Sequence, residues 1–212
     1  PCGADRATIF GTKEFFDRIE HERYVEYAPW LPGAVDFKRF AGKRVLEIGF
    51  GLGTDYIQFV RAGAECFGID LTWTHIQATR TRLLLQGQPV RLARADAESL
   101  PFADESIDAI YSFGVLHHTP GTQRAIDEIF RVLRANGEAI VALYHRDSAF
   151  WLHAIVVRGL LRGGLFRFGY RGLMSQIEKR EESDALPLVK VYSRWGVRRM
   201  FSKFCEVRTE VH

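Results

Sequence analysis

The sequence predicts an α/β fold: a doubly wound, mainly parallel sheet with helices on both faces. Short apolar runs alternate with segments of helical periodicity, and glycine or proline separates most of them. The apolar runs are continuous rather than alternating with polar residues, which is expected where helices cover both faces of a parallel sheet. The length of 212 residues suits one such domain with an appendage.

The first half of the chain carries the clearest alternation. Residues 12–28 have apolar side chains at helical spacing, and Pro29 and Pro32 then end the predicted helix. Strands are predicted at 44–48, 65–69 and 90–95. Helices are predicted between them at 54–62 and 73–86, each followed by a glycine that favours a helix end.

The second half is less regular. Strands are predicted at 107–113, 138–144 and 206–211, with helices at 123–133 and 193–204. Asn136 and Gly137 follow the first of these helices, and Asn tolerates the left-handed backbone that a helix end needs. Residues 149–185 interrupt the alternation, and we expect an irregular insertion there.

The charge is unevenly distributed. Residues 1–145 hold 16 Lys and Arg against 19 Asp and Glu, whereas residues 146–212 hold 13 against 7. A basic C-terminal third suits an anionic substrate or a membrane surface, although a solvated charged face explains it equally well. The net charge of +3 gives no support to nucleic-acid binding.

The cysteines and the N-terminus bear on the compartment. Cys2, Cys66 and Cys205 are odd in number and far apart, so they predict neither a disulfide framework nor a metal site. No basic region followed by an apolar core occurs near Pro1, so we expect no secretory signal and a cytoplasmic protein with reduced thiols. No cluster has metal-ligand spacing, and we expect no metal.

A glycine-rich turn follows the first strand. Its residues run from Glu47 through Gly49, Gly51 and Gly53 to Asp55. Glycines let the backbone turn tightly and approach a ligand without an intervening Cβ. The spacing is G-x-G-x-G with Thr54 next, whereas the dinucleotide fingerprint is G-x-G-x-x-G. A purely structural turn is the alternative.

Carboxylates end the next two strands. Asp70 lies 21 residues after Gly49, where a carboxylate suits the ribose hydroxyls of a nucleoside. Capping of the following helix is the alternative role for this side chain. Asp96 follows the third strand, where it and the backbone N–H of Ala97 suit the edge of an adenine ring.

These motifs together resemble the class I S-adenosylmethionine-dependent methyltransferases, in the broad family that includes the ubiquinone and menaquinone biosynthesis enzymes. The resemblance covers residues 40–145 and implies a Rossmann-like methyltransferase sheet with S-adenosylmethionine as cofactor. The residues that it implies for cofactor binding are Glu47, Gly49, Gly51, Gly53, Asp70, Leu71, Asp96, Ala97 and Phe113. Among these, Leu71 would pack on the adenine, and Phe113 would lie near the sulfonium. Arg134 to Gly137 depart from the Pro-Gly-Gly of many relatives.

The resemblance also suggests how the chain is divided. Residues 1–40 would be an N-terminal helical segment and candidate lid, with Tyr24, Tyr27 and Trp30 over the cofactor or simply packed on the sheet edge. Residues 41–145 would be the cofactor-binding core, residues 146–192 a substrate-side insertion, and residues 193–212 the last helix and strand of the core.

Two histidines follow the fourth strand. His117 and His118 are candidate catalytic bases, because histidine can accept a proton near neutral pH. Packing or hydrogen bonding within the loop is the alternative, and the sequence does not choose between the two residues. His145 is a weaker candidate for the same role.

The insertion leaves three alternatives open. It can be a hydrophobic substrate cap, a membrane-surface element over residues 149–175, or a dimer contact, and we favour the cap. Arginines interrupt its apolar run, so no membrane span is predicted. The predicted function is therefore methyl transfer to a small-molecule acceptor, apolar or anionic. A non-catalytic protein that binds a nucleoside cofactor and an NAD-dependent oxidoreductase are the alternatives, and the sequence leaves the oligomeric state open.

Overall fold

A computed structural model describes residues 10–178 and 187–211. The α-helices are α1 (Lys13–His21), α2 (Leu31–Val35), α3 (Tyr56–Arg61), α4 (Trp73–Leu85), α5 (Thr122–Val132), α6 (Ala149–Ala154), α7 (Gly164–Glu178) and α8 (Arg194–Met200). The strands are β1 (Arg44–Ile48), β2 (Glu65–Asp70), β3 (Leu92–Arg94), β4 (Ile107–Phe113) and β5 (Leu133–Ala142). π-Helical turns occupy Glu22–Tyr27 and Ile155–Leu161, and a 3₁₀ turn occupies Phe37–Phe40.

The strands form one five-stranded sheet in the order β3-β2-β1-β4-β5. β1 pairs in parallel with both β2 and β4, and β2 pairs in parallel with β3. The chain therefore builds outward from β1 to β3 and then crosses to the other side of β1. That reversal between β1 and β4 is the switch point where ligands bind in doubly wound sheets. The predicted fold class is confirmed.

Unit 1 comprises the residues up to Phe113 together with Arg131–Val141. Its core consists of apolar side chains from the sheet and from the helices before and after β1, including Leu31, Phe40, Val45, Phe59 and Cys66. Aromatic rings contact one another edge to face in this core; Phe37 and Phe59 are 4.8 Å apart between centroids. Burial of all but the first residue of β1 fits the continuous apolar run in the sequence.

Unit 2 comprises Gly114–Phe130 and the residues from Ala142 onward. It has a smaller core of Trp151, Leu173, Met174 and Val189. Within it, the backbone N–H of Tyr192 donates to the carbonyl of Tyr144 at 2.9 Å, so the chain after the insertion runs beside the end of β5.

The predicted final strand at 206–211 is wrong. These residues have no strand assignment, although their apolar and polar side chains alternate. Alternation fits a strand only where another strand supplies the hydrogen bonds, and here Arg208 instead pairs with Glu206 two residues away. The predicted helix before it is shorter than expected, although Ser193 caps α8 by accepting a hydrogen bond from Gly196 N–H at 3.1 Å.

The insertion is more regular than predicted. Its described residues form α6, a π-helical continuation and α7, rather than irregular chain. Gly163, at φ 68°, separates the two helical stretches, and Gly169 kinks α7. Asn136 has the predicted left-handed backbone at φ 65°, but it lies within β5, which begins earlier than expected.

Candidate cofactor-binding site

The glycine-rich loop after β1 requires glycine at its turns. Gly49, Gly51 and Gly53 have φ values of 75°, 54° and 69°, in the region that disfavours other residues. A Cβ on Gly53 would lie 2.6 Å from the side chain of Thr79 on α4. A Cβ on Gly51 would meet no atom within 4 Å, so open space lies above this part of the loop.

Asp70 connects the end of β2 to that loop. One carboxylate oxygen accepts a hydrogen bond from Gly51 N–H at 3.0 Å, and the other accepts from Thr72 N–H at 2.8 Å. His75 Nδ1 lies 3.3 Å from both oxygens. Burial would raise the pKa of Asp70, but these hydrogen bonds outweigh it and hold the pKa below its usual value. The carboxylate is therefore ionised and fixed at neutral pH.

Glu47 is the most deeply buried acid near the loop. Its side chain lies at the end of β1 and is 4% exposed, and its Oε2 atom has no hydrogen-bond partner among the described residues. Burial, together with repulsion from Asp55, raises its pKa well above the usual range. A buried carboxyl oxygen without a partner is costly, so Glu47 suits a cationic or hydrogen-donating ligand group.

Asp55 anchors a cluster that the sequence analysis did not assign. Arg23 forms two hydrogen bonds with this carboxylate, at 3.2 and 2.6 Å. The hydroxyl groups of Tyr24 and Tyr111 each donate to it at 2.8 Å. The guanidinium of Arg23 also lies 4.1 Å from the ring centroid of Phe113. The π-helical turn is thereby fixed to the glycine-rich loop.

A buried arginine supports the loop from α4. Arg82 is 1% exposed and donates to the Leu52 carbonyl at 3.4 Å and to the Thr54 hydroxyl at 3.2 Å. It also pairs with Glu20 of α1. Burial lowers the pKa of Arg82, and Glu20 opposes that effect. The sequence does not indicate that Arg82 is buried, because it lies in a predicted helix where apolar and polar residues are mixed.

The remaining predicted residues lie at the same edge of the sheet. Leu71 follows Asp70 and is exposed, as a side chain available to a ligand must be. Asp96 follows β3 and accepts a hydrogen bond from Glu98 N–H at 2.9 Å, while Ala97 is buried. Phe113 ends β4. Because these strands are parallel neighbours, the residues that follow them lie along one edge of the sheet.

The N-terminal aromatic residues are arranged unequally. The hydroxyl group of Tyr24 donates to Asp55 and lies 3.1 Å from the carbonyl oxygen of Thr54. Tyr27 is exposed beside Arg23, whose guanidinium lies 5.8 Å from its ring. Trp30 contacts Phe113, with ring centroids 6.3 Å apart. The segment thus touches the loop and the end of β4.

The two predicted catalytic histidines belong to unit 2 and differ in environment. His117 is fully buried against Tyr144, with ring centroids 3.8 Å apart. Within the part of the chain that the structure describes, neither of its nitrogens has a hydrogen-bond partner. Burial, with a smaller contribution from His118, lowers its pKa to about 3. His118 is half-buried, and its Nδ1 lies 2.7 Å from the Leu188 carbonyl. The backbone of His145 forms an isolated parallel β-bridge with that of Tyr192.

In residues 10–178 and 187–211, no group of three or more His, Cys, Asp and Glu side chains is arranged to hold a metal ion. Across the same ranges, no helix combines the length and hydropathy needed to cross a lipid bilayer. Cys66 is buried and Cys205 is exposed, whereas Cys2 lies outside the described residues.

Known proteins resemble the chain mainly over the segment that carries this site. The family model described as a methyltransferase domain matches residues 46–141. The methyltransferase YcgJ of Bacillus subtilis is 34% identical over 102 residues, which are 48% of this chain and 40% of that protein. A phthiotriol/phenolphthiotriol dimycocerosates methyltransferase of Mycobacterium ulcerans is 38% identical over 99 residues, 46% of this chain and 36% of that protein.

A solved structure extends the likeness beyond the matched segment. The crystal structure of YcgJ superposes with a TM-score of 0.59 at 24% identity, covering 80% of this chain and 65% of that one. The likeness at this identity concerns the fold, whereas the curated relatives are matched over less than half of their own length. Over residues 46–141 the chain is therefore similar to methyltransferase domains, in agreement with the resemblance to class I S-adenosylmethionine-dependent methyltransferases that its motifs predict.

Proposed function

We propose that the chain binds S-adenosylmethionine at the carboxyl edge of β1, β2 and β4 and catalyses methyl transfer to a small-molecule acceptor. The observation that carries this proposal is the open space above Gly51, in a loop whose backbone is fixed by the neighbouring carboxylate of Asp70. When bound, the cofactor supplies an electrophilic methyl group on a positively charged sulfur, which a lone pair of the acceptor displaces in line.

The residues of the site suit the parts of that cofactor. Gly49, Gly51 and Gly53 would allow close approach of the methionine moiety, and Glu47 would supply a carboxyl group to its ammonium. Charge-assisted hydrogen bonds of that kind are stronger than neutral ones. The ionised Asp70 would accept from the ribose hydroxyls. These assignments account for a buried oxygen that otherwise lacks a partner.

The adenine would use residues from the next strands. Leu71 is an exposed apolar side chain beside Asp70 and would pack on the ring. Asp96 and the backbone of Ala97 would recognise its edge. Phe113 would lie near the sulfonium, although its ring already carries the guanidinium of Arg23. Because the Arg23 guanidinium already occupies this ring, we propose that Phe113 packs beside the sulfonium and does not make a direct cation–π contact with it.

The acceptor is proposed to be a small molecule, apolar or anionic. The named Mycobacterium ulcerans relative supports a small-molecule acceptor, and the basic C-terminal third supports an anionic group on it. The insertion at 146–192 remains our proposed substrate-side element. An oxidoreductase is disfavoured because the third glycine falls at 53, and not at the later position of the dinucleotide fingerprint.

His118 is the better supported of the two proposed proton acceptors. The neutral ring can donate from Nδ1 to the Leu188 carbonyl, which leaves Nε2 as an acceptor. A pKa of about 3 makes His117 a weak base, since an effective base has a pKa near the working pH. Methyl transfer needs such a base only where the acceptor loses its proton early.

A substitution at Gly51 tests the proposal directly. Gly51→Ala places a methyl group in the open space, and it also costs about 1–2 kcal/mol of backbone strain at positive φ. Gly87→Ala is the matched control, because Gly87 has φ 62° and equally open surroundings at the end of α4. Isothermal titration calorimetry with S-adenosylhomocysteine should show binding at least about tenfold weaker for Gly51→Ala only. Equal affinities for the two variants would contradict the proposed site.

A further inference from the structure

An exposed apolar surface lies on the insertion within unit 2. The exposed side chains described for α6, the following π-helical turn and α7 include six aliphatic or phenylalanine residues: Leu152, Val156, Leu160, Leu161, Phe166 and Phe168. Leu161 is 77% exposed and Phe166 is 90% exposed. We refer to these six residues as the insertion surface. Concentrated exposure of this kind marks an interaction site more often than isolated apolar residues do.

The insertion surface is separate from the core of its own unit. Trp151 is buried with Leu173 and Met174, and Ile155 packs against them. Leu152, Val156 and Leu160 instead recur every fourth residue on the exposed side of the same helical stretch. The insertion therefore has one apolar side that is satisfied by internal packing and another that is not.

The charge around this surface has one sign. No Asp or Glu occurs between Asp147 and Glu178, whereas that interval contains four arginines. Arg158, Arg162 and Arg167 are exposed, and none of them forms an ion pair in the described parts of the chain. Basic residues interleaved with exposed leucine and phenylalanine are the composition of helices that lie in a membrane interface.

We propose that the insertion surface docks onto an anionic phospholipid bilayer, with its apolar side chains in the boundary between headgroups and acyl chains. Arg158, Arg162 and Arg167 would contact the lipid phosphates, which matches their charge and the absence of acidic partners for them among the described residues. The break at Gly163 keeps each helical stretch short, so the surface lies on the membrane and does not cross it. The inference does not depend on the proposed methyl transfer.

A second copy of the chain fits this surface less well. Two copies in a twofold symmetric contact place the same patch against itself. The arginines of both patches would then face one another without an acid in the interval, and like charges across an interface are unfavourable. An anionic bilayer provides both the apolar layer and the compensating charge.

Flotation of the whole chain with lipid vesicles tests the proposal. Vesicles of phosphatidylcholine with about one third phosphatidylglycerol should bind the chain in 0.1 M NaCl, whereas pure phosphatidylcholine should bind it much more weakly. Binding should weaken in 1 M NaCl, where the screening length falls from about 10 to about 3 Å. No binding to the anionic vesicles in low salt would overturn the proposal, and so would equal binding to both compositions.

Two variants separate the apolar and basic contributions. Arg158→Gln with Arg162→Gln should lower the partition coefficient about 25-fold, since each basic residue near an anionic surface contributes about fivefold. Phe166→Ser should lower it at least about tenfold. Leu85→Ser and Arg80→Gln are matched controls on the exposed side of α4 and should bind as the unchanged chain does.

The remaining outcomes also decide the question. Equal losses in the control variants would overturn the proposal. So would light scattering that shows a dimer in the unchanged chain and a monomer in Phe166→Ser, because the surface would then be a contact between copies. If Phe166→Ser loses its circular dichroism signal, the paired arginine substitution carries the test, because both of its positions are exposed.

Discussion

Two buried carboxyl groups of unit 1 have pKa values displaced in opposite directions. Hydrogen bonds from Gly51, Thr72 and His75 hold the pKa of Asp70 below its usual value despite burial. Glu47, which lacks a partner at Oε2, has a pKa well above the usual range because burial dominates. The protein thus keeps one fixed anion and one carboxyl group whose ionisation a cationic ligand would favour.

The raised pKa of Glu47 predicts a specific pH dependence. Its stabilising contribution is complete below the unfolded pKa of about 4.5 and is lost as the pH rises through the folded value. Glu47→Gln should therefore unfold at a higher temperature than the unchanged chain at pH 8, with a smaller difference at pH 5. Thermal denaturation of the cofactor-free chain measures this.

A control variant at Glu26 and the affinity for S-adenosylhomocysteine test the same role of Glu47. Glu26→Gln alters an exposed carboxylate and should leave the pH profile unchanged. Glu47→Gln should also weaken binding of S-adenosylhomocysteine about tenfold, because a charge-assisted hydrogen bond contributes about 1.5–3 kcal/mol. Parallel pH profiles for Glu47→Gln and the unchanged chain would contradict the assigned pKa direction.

At the scale of elements, the Arg23–Asp55 pair connects the π-helical turn to the glycine-rich loop. Both side chains are largely buried, and removal of one partner leaves an uncompensated charge. Arg23→Gln should therefore lower the free energy of unfolding by about 3 kcal/mol. Urea denaturation at pH 7 measures it.

A double substitution identifies the pair as the cause. Arg23→Gln with Asp55→Asn removes both charges, so its loss should be smaller than the sum of the two single losses. Lys13→Gln, which breaks the exposed pair of Lys13 with Asp17, should leave the urea denaturation midpoint unchanged. Additive losses for Arg23 and Asp55 would show that the pair does not couple these elements.

Elements with strong local signals were predictable from sequence. β1 has the predicted bounds, and the starts of β2 and α4 agree with the predictions. These elements were predictable because glycines and acidic residues mark where the apolar runs begin or end. The strand at 206–211 was wrong because alternation does not reveal whether a partner strand exists. Strand pairing is a long-range property that a local pattern cannot report.

The candidate site shows the same difference between residues with local signals and residues that depend on long-range contacts. The residues implied for the cofactor follow predicted strands, and the sheet order then places them at one edge. Arg23, Asp55 and Arg82 were not predicted, because their roles come from contacts between segments about 30 residues apart. An arginine within a helix ordinarily indicates a solvated position, so burial of Arg82 had no local signal.

At the scale of the whole molecule, unit 2 contains a buried histidine whose protonation opposes folding. His117 of unit 2 is buried in its neutral form, and burial lowers its pKa to about 3. The unfolded histidine titrates near 6.5, so its contribution to stability is complete above that pH and is lost as the pH falls toward 3. Acidification from pH 7 to pH 5 should therefore destabilise unit 2.

Hydrogen exchange measures this effect locally. Protection of the amides around His117 should fall between pH 7 and pH 5, after correction for the intrinsic exchange rate. His117→Phe should remove most of that change, whereas His153→Gln, at an exposed position of α6, should not. A pH effect of the same size in His117→Phe would exclude His117 as its source.

The central claim is that the glycine-rich loop and the carboxylates beside it form a pocket for an adenosine joined to an amino acid. Isothermal titration calorimetry of the folded chain with S-adenosylhomocysteine, and in parallel with NAD, tests this most directly. We expect saturable, stoichiometric uptake of S-adenosylhomocysteine and no comparable uptake of NAD. Absence of S-adenosylhomocysteine binding to folded protein, or a preference for NAD, would contradict it.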